Sequence, residues 1–474
     1  MTTLAQSLPA SRSASRWLAL AVLALAQFLV VLDASIVNIA LPRLGQGLGL
    51  DPLLLSWVIT AYVLPFGGLL LLGGRLADRI GHRTIFLVGT GGFIAASLAA
   101  GLSPNGGLLL AARAVQGASA ALLAPGALSL LMQLFPTGHG RDKALGIWGA
   151  VAGLGSVAGV LLGGVLTAQF GWASIFFINV PVGLFVLASI PFLIGRDQVA
   201  ATPAPLDIPG ALTVTAGLVA IVTALSVVLE IGFLAPLTLG LLAAGITLLI
   251  AFVVIEIKSK APLVDFRILA NRAVSTGNVA VVLIGGAVTG LFFALSLYMQ
   301  DVLAYDAMTA GLSQLPLAMT LVVVAGLAPA AIARLGSRDT LVASLLIFAA
   351  GLVWLSFAPT DASFLVHLLG PSLLIGTGLG GAFVAGTELS VSGVSEGDAG
   401  LASGLVNTSQ QIGAAIGLAV IFTISATRAT ALADAGMPPV EALSAGHSWG
   451  FLTAAGLALL AAATTAALGP RTVR

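Results

Sequence analysis

Residues 74–83 read GRLADRIGHR, a charged stretch between two long apolar runs, and residues 329–338 read PAAIARLGSR. Arg79, Gly81 and Arg83 of the first stretch have identical residues at the same positions of the second. Coincidence is one explanation, because the chain contains 58 glycines. The other explanation is an internal duplication into two parallel halves, which is typical of transporters with a substrate site near the membrane midplane.

The composition indicates an integral membrane protein. Of 474 residues, 58% are hydrophobic and only 8% are charged, whereas a soluble domain has about 25% charged residues. The chain has no cysteine, which excludes disulfides and thiolate metal sites. Its net charge of +1 argues against nucleic acid as a partner, because nucleic acid requires a basic face. The lipid bilayer is the expected environment, and no cofactor or metal is expected.

Apolar runs of about 20 residues predict an all-α polytopic membrane protein with fourteen transmembrane helices. The predicted spans are 17–41, 53–73, 84–101, 108–134, 144–167, 174–194, 210–229, 233–255, 273–297, 310–332, 340–358, 364–387, 401–425 and 449–468. The predicted organisation is a cytoplasmic N-terminal tail (1–16), an N-terminal six-helix bundle (17–196), two additional helices (206–256) and a C-terminal six-helix bundle (270–468).

The loop charges predict the orientation, because cytoplasmic loops are enriched in Lys and Arg. With a cytoplasmic N-terminus, nearly all basic side chains fall on the cytoplasmic side, and only Arg43 and Arg428 lie outside. We therefore expect both termini to be cytoplasmic in a bacterial cell (inner) membrane. The first span is too long for a signal peptide, so it is expected to be retained.

Five segments carry a family resemblance. They are LDASIVNIALP (32–42), GRLADRIGHRTIF (74–86), RAVQGASAALLAPG (113–126), FFINVPVG (176–183) and LDIPGALTVTAGL (206–218). Together they resemble the fourteen-helix drug:proton antiporters of the major facilitator superfamily. The resemblance implies two six-helix bundles plus two inserted central helices.

The resemblance also implies a conformational latch in the loop between spans two and three. The matching residues are Gly74, Asp78, Arg79, Gly81 and Arg83. Asp78 is expected to interact with the N-terminal dipole of span thirteen. The alternative for the arginines is that they only anchor the topology.

Five glycines within the spans are expected to allow close helix packing. They are Gly117, Gly155, Gly159, Gly163 and Gly164. The antiporter motif of span five has a proline where this chain has Val160. No proline kink is therefore expected in that span.

Asp33 and Arg113 are opposite charges at similar depths within spans one and four. A charge at the centre of a membrane helix costs about 2.5–3.5 kcal/mol or more, which makes both residues candidates for function. We hypothesise that Asp33 binds the coupling proton. A nearby Arg113 would favour the charged carboxylate and burial would favour the neutral one, so conformation could switch the site. A static ion pair is the alternative.

Polar residues within the spans are candidates for the substrate cavity, although most intramembrane amides serve helix packing. These candidates are Gln27, Asn38, Tyr62, Gln116, Asn278, Gln314, Asn407 and Gln411. The predicted partner is a small hydrophobic or cationic organic compound, and the chain is expected to be a monomer.

The leading hypothesis is therefore a proton-coupled multidrug efflux antiporter that works by alternating access. Its energy would come from an ion gradient, because the sequence has no nucleotide-binding P-loop motif. The family resemblance implies that this gradient is the proton motive force. Three alternatives remain: an exporter or facilitator of one metabolite, a polytopic membrane enzyme, and a non-transporting receptor. Dispersed histidines argue against the enzyme, and the duplication argues against the receptor.

Overall fold

The computed structural model describes residues 10–135, 139–195, 207–259, 262–264, 267–392, 394 and 399–470. Within these ranges the chain is helical and contains no β-strand. The helices are α1 (Ala10–Leu48), α2 (Pro52–Ile80), α3 (His82–Gly101), α4 (Gly106–Leu134), α5 (His139–Phe170), α6 (Ser174–Phe177), α7 (Asn179–Leu193), α8 (Ile208–Ile231), α9 (Pro236–Lys258), α10 (Arg272–Leu297), α11 (Ala307–Leu335), α12 (Ser337–Leu355), α13 (Leu369–Val391), α14 (Ala399–Asp434) and α15 (Pro439–Leu468).

The membrane-spanning helices agree with the sequence prediction. Among the described residues, 13 segments are long and apolar enough to cross a bilayer, and one of them combines α6 and α7. α5 provides the remaining crossing, with Val157–Phe170 as its described apolar part. The fourteen-helix architecture is thus confirmed.

The first helix is longer than predicted at both ends. It begins at Ala10, inside the predicted tail, and continues through Pro42 to Leu48. A proline is tolerated within a membrane helix because neighbouring groups can satisfy the freed backbone carbonyl. The helix therefore continues to Leu48, beyond the predicted span end at residue 41.

The duplication is visible in the helix packing. α1 packs on α5 and α2 packs on α4 in the first half, as α10 packs on α14 and α11 on α13 in the second. The halves meet through α5 with α11 and through α2 with α14. These two interfaces exchange the second and fifth spans of the halves, as a pseudo-twofold arrangement requires.

The two copies of the charged motif form matching one-residue turns. Gly81 joins α2 to α3 with φ +114°, and Gly336 joins α11 to α12 with φ +81°. Only glycine adopts such angles without steric cost. We name the side that carries these turns the arginine-rich face, because Arg79, Arg83 and Arg334 lie there.

The polar contacts that join α1 to the end of α10 and to the turn after it lie toward the opposite face. Ser296 Oγ donates to the backbone carbonyl of Asn38 at 2.5 Å, and Gln300 Nε2 donates to the carbonyl of Ile39 at 3.0 Å. Both acceptors lie in the last third of α1. The halves are therefore tied together on the side away from the arginine-rich face.

Helix starts at the opposite face carry N-cap side chains. Asp51 caps α2 and Asn105 caps α4, which satisfies backbone N–H groups that a helix start leaves free. At the start of α11, the backbone N–H of Thr309 donates to Asp306 Oδ1 at 2.7 Å. Hydrogen bonds from the Thr309 side chain and backbone lower the pKa of Asp306.

The inserted helices lie beside both halves. α8 packs against α2 and α14, and Thr423 Oγ1 of α14 donates to the carbonyl of Leu225 in α8 at 3.0 Å. α9 packs on α8, and only 11% of its most apolar segment is buried. The apolar surface of α9 is therefore largely exposed on the outside of the helix bundle.

Candidate functional site

A buried polar network lies inside the first half, where α1, α3, α4 and α7 meet. Asp33 is 0% exposed and Arg113 is 1% exposed. Arg113 Nη1 donates to Asp33 Oδ2 at 2.6 Å. The sequence left open whether these two residues face each other, and the structure brings them into direct contact.

Three neutral side chains complete the network. Gln116 Nε2 donates to Asp33 Oδ1 at 2.8 Å and to Ser97 Oγ at 2.8 Å. Asn179 Nδ2 donates to Asp33 Oδ1 at 2.8 Å, while Gln116 Oε1 accepts from Arg113 Nη1 at 2.8 Å. Gln116 lies three residues after Arg113, so both side chains project from one face of α4.

The guanidinium of Arg113 is enclosed by α2 and by an aromatic ring. Arg113 Nε donates to the backbone carbonyl of Val58 at 3.0 Å. Its Cζ lies 4.4 Å from the ring centroid of Tyr62, within the range of a cation–π interaction. Gly117 allows this approach, since a Cβ at that position would collide with the Tyr62 carbonyl.

The arrangement suits an ionised Asp33. The hydrogen bonds described at its two oxygens all come from N–H groups, either of the Arg113 guanidinium or of a side-chain amide. A carboxylate only accepts hydrogen bonds, whereas a protonated carboxyl must also donate one. Protonation of Asp33 therefore requires a rearrangement of at least one of these partners.

Two residues of this network were missed by the sequence reasoning. Asn179 and Ser97 are both fully buried. Asn179 lies within FFINVPVG, a segment that the resemblance identified without assigning a role to the amide. Ser97 carries no sequence signal, because serines also occur at helix contacts in membranes.

Four of the eight predicted cavity residues are buried in the helix packing. Gln116 and Tyr62 belong to the buried network. Asn278 Nδ2 donates to the carbonyl of Val274, and Asn278 Oδ1 accepts from Ser409, which ties α10 to α14. Gln314 is also buried. These four side chains are buried in the described conformation, and their role in a substrate cavity stays a prediction.

The other four predicted cavity residues keep part of their surface. Gln27, Asn38 and Gln411 are half-buried, and Asn407 is exposed on α14. Asn38 Nδ2 donates within its own helix to the carbonyl of Ala34 at 3.1 Å. Gln411 packs over Gly67 of α2 at the interface between the halves.

The predicted latch residues lie at the arginine-rich face. The Asp78 side chain is 64% exposed, and its Oδ1 lies 3.6 Å from His82 Nε2. Arg83 Nη2 is 3.4 Å from the carbonyl of Pro191, while Arg79 is exposed. Gly74 lies in α2 opposite Pro125 of α4. In this conformation Asp78 contacts His82 of its own turn, and its interaction with α14 stays a prediction.

The predicted packing glycines lie where helices approach closely. A Cβ at Gly155 would lie 3.1 Å from Val31 Cβ, and one at Gly159 would lie 2.5 Å from Ser35 Cβ, both on α1. Gly163 also faces α1, whereas Gly164 faces the carbonyl of Ala307 in α11. These glycines therefore let α5 pack closely on α1 within the first half and on α11 of the second half.

The part of the chain that the structure describes contains no group of three or more His, Cys, Asp or Glu side chains placed to hold a metal ion.

Comparisons with known proteins agree with this architecture. A profile of the Major Facilitator Superfamily matches residues 23–418. The chain is similar to the puromycin resistance protein pur8 of Streptomyces alboniger, with 41% identity over 94% of this chain and 90% of that protein. It is also similar to the cephamycin export protein CmcT of Amycolatopsis lactamdurans, with 41% identity over 88% of this chain and 86% of that protein.

A solved structure shows the same fold. A crystal structure of a mutant of the nucleoside transporter NupG aligns with a TM-score of 0.68 over 96% of this chain and 100% of that chain. The sequence identity is 11%, so this likeness concerns the fold alone.

Proposed function

The chain belongs to the major facilitator superfamily, and we propose that it exports small organic antibiotics or related drugs in exchange for protons. Relatives at 41% identity, aligned over most of their length, are named for antibiotic resistance or export. The observation that supports proton coupling is the contact between Asp33 and Arg113. Both side chains are buried inside the first half, and Arg113 Nη1 lies 2.6 Å from Asp33 Oδ2.

The proposed setting is the bacterial cell (inner) membrane, with the arginine-rich face in the cytoplasm. The concentration of basic loop residues on that face supports this orientation. The contacts of Ser296 and Gln300 with α1 then lie on the outer side. We interpret the described conformation as closed to the outside. A monomer is sufficient, because one chain supplies both halves.

In the proposed cycle, Asp33 is ionised in this conformation and protonated when the outside opens. The proton adds to a carboxylate oxygen of Asp33, and Arg113 then keeps its contacts with the Val58 carbonyl, Gln116 and the Tyr62 ring. Neutral Asp33 no longer attracts the guanidinium, which frees α1 and α4 to change their packing. Return of the proton to the cytoplasm restores the pair.

The proposed substrate is lipophilic and either neutral or monocationic. Asp33 is the single acid deep within the first half, so a dication would lack a second counter-charge there. Gln27, Asn407 and Gln411 are not fully buried and are the proposed contact residues. On closure of the cytoplasmic side, Asp78 is proposed to leave His82 and interact with the start of α14.

A second candidate function is export of one dedicated compound. The names of the puromycin and cephamycin relatives each mention one antibiotic. A narrow resistance profile would favour this candidate, and a broad profile would favour multidrug efflux.

The test is a drug-susceptibility panel in an efflux-deficient bacterial host, with puromycin and a cephamycin included. Expression should raise the inhibitory concentration of at least one compound several-fold and lower the amount of that compound inside the cells. A protonophore should abolish this difference in drug accumulation between cells with and without the protein. Asp33→Asn should remove drug-induced proton flux in inverted vesicles, whereas Asp434→Asn, at an exposed helix end, should not. Unchanged flux in Asp33→Asn would exclude Asp33 as the coupling site.

A further inference from the structure

Two buried acids lie at the arginine-rich end of the inserted helices, away from the Asp33 network. Asp207 precedes α8 and is 5% exposed, and Glu256 near the end of α9 is 2% exposed. Each accepts a hydrogen bond from the backbone: Gly210 N–H donates to Asp207 Oδ1 at 2.8 Å, and Val264 N–H donates to Glu256 Oε2 at 3.0 Å. Acidic side chains are rarely buried without a specific partner.

The two carboxyl groups converge on one point of α8. A Cβ at Gly210 would lie 2.7 Å from Glu256 Oε1 and 3.0 Å from Asp207 Oδ1. Over the residues described, Glu256 Oε1 and Asp207 Oδ2 have no hydrogen-bond partner. A buried polar atom without a partner costs about 1–3 kcal/mol, and more when the group is charged.

The basic side chains described beside Asp207 and Glu256 do not supply one positive charge for each carboxylate. Arg75 of α2 interacts electrostatically with Glu256, but its Nη2 donates to the carbonyl of Pro262 at 2.9 Å. Lys258 of α9 is exposed. α14, which packs on α8, has no charged residue before Arg428. Arg75 is therefore a cation that acts on one acid of a buried pair.

We propose that Asp207 and Glu256 bind one proton between them and form a proton site in the inserted helix pair. A proton from water at the arginine-rich face adds to one carboxylate oxygen, and the new O–H donates to the neighbouring carboxylate. No other bond forms or breaks. Two carboxylates that share one buried site hold a proton because both cannot stay ionised at low cost.

This site accounts for features that lipid-facing helices alone do not explain. It supplies a partner for the two free carboxyl oxygens, and it leaves one net negative charge opposite Arg75. Release of the proton would add a second negative charge beside the contact of α8 with α2. The docking of the inserted helices against the first half would then depend on cytoplasmic pH. This inference does not rest on drug export.

The test uses infrared difference spectra of the purified full chain in lipid nanodiscs, in H₂O and D₂O at neutral pH. The wild type should show a protonated-carboxyl band that shifts in D₂O, although a water-exposed carboxyl is ionised above about pH 4. Glu256→Gln and Asp207→Asn should each lose that band. Glu388→Gln is the matched control, because Glu388 is exposed at the same face beside Ser337.

Several results would overturn the proposal. One is a band that persists in both variants, and another is the absence of any such band in the wild type. A third is loss of the band on addition of Na⁺ or Mg²⁺ at constant pH, which would make a metal cation the ligand. Both replacements are nearly isosteric, so the second variant decides the question if the first does not fold. Asp33→Asn should retain the band, which separates this site from the proposed coupling residue.

Discussion

Removal of either partner of the Asp33–Arg113 pair should destabilise the fold, and removal of both should cost much less than the sum. The two side chains are almost completely buried and 2.6 Å apart. Breaking a buried ion pair by removing one partner costs about 3–5 kcal/mol, because an uncompensated charge remains.

The two single variants should differ. Arg113→Gln leaves the Asp33 carboxylate with only the neutral amides of Gln116 and Asn179, so we expect the full loss of about 3–5 kcal/mol. Asp33→Asn leaves a guanidinium that still stacks on Tyr62 at 4.4 Å, a contact worth about 2 kcal/mol when desolvated. The new amide must direct its NH₂ group at another donor in either orientation, which reduces this advantage. Because the guanidinium keeps its contact with Tyr62, we still expect a smaller loss than for Arg113→Gln.

The measurement is equilibrium unfolding in mixed micelles with a denaturing detergent, followed by the fluorescence of the 6 tryptophans. The double variant has only neutral amides at the site. The interaction free energy between positions 33 and 113, obtained from the double-mutant cycle, should therefore exceed about 2 kcal/mol. Arg428→Gln is the control, because Arg428 is exposed over the Trp449 ring at 5.7 Å and should cost less than about 1 kcal/mol. Effects that add within about 0.5 kcal/mol would refute the pairing.

Three further predictions concern the turns, the caps and the contact between the halves. Gly81→Ala should cost at least about 1–2 kcal/mol, because position 81 has a positive φ. Gly91→Ala, which lies within α3 with open space around it, should in the same unfolding assay cost nothing or stabilise the helix by up to about 1 kcal/mol. Asp306→Ala should cost about 0.5–2 kcal/mol through the lost N-cap; because the folded pKa of Asp306 is lowered, the wild type should hold this advantage above about pH 4 and lose it as the pH falls through the folded pKa. Gln300→Leu removes a hydrogen bond of about 1 kcal/mol between the halves, so an external maleimide should label Ala34→Cys about fivefold faster in intact cells; an unchanged rate would mean that the contact does not hold the outer side closed.

The architecture was predictable because its signals are local. Apolar runs mark the helices, and the two copies of the charged motif mark the duplication. The structure shows why those copies match: Gly81 and Gly336 each form a one-residue turn with positive φ. A sequence pattern that depends on one residue's backbone angles is readable without any knowledge of packing.

The polar network was predictable only in part, because helix rotation decides contacts and sequence does not specify it. The depth of Asp33 and Arg113 followed from their positions in the spans, but the participation of Asn179 depends on how α7 turns toward α1. Asp207 and Glu256 were missed for a different reason. Each lies at a span end, where an acid is expected to be solvated, and only the tertiary fold buries them.

The placement of the network restricts how drug movement can be coupled to protons. Asp33 and all its partners belong to the first half, so rocking of the halves as rigid bodies would leave the ion pair intact. The proposed coupling through Asp33 therefore requires a change within the first half, and α1 is the helix that would link proton binding to the opening of the outer side. The carbonyls of Asn38 and Ile39, which accept from Ser296 and Gln300, lie within two turns of Asp33 on that helix. Protonation that loosens α1 from α4 would thus weaken the outer contact directly, and opening of the outer side would in turn favour protonation.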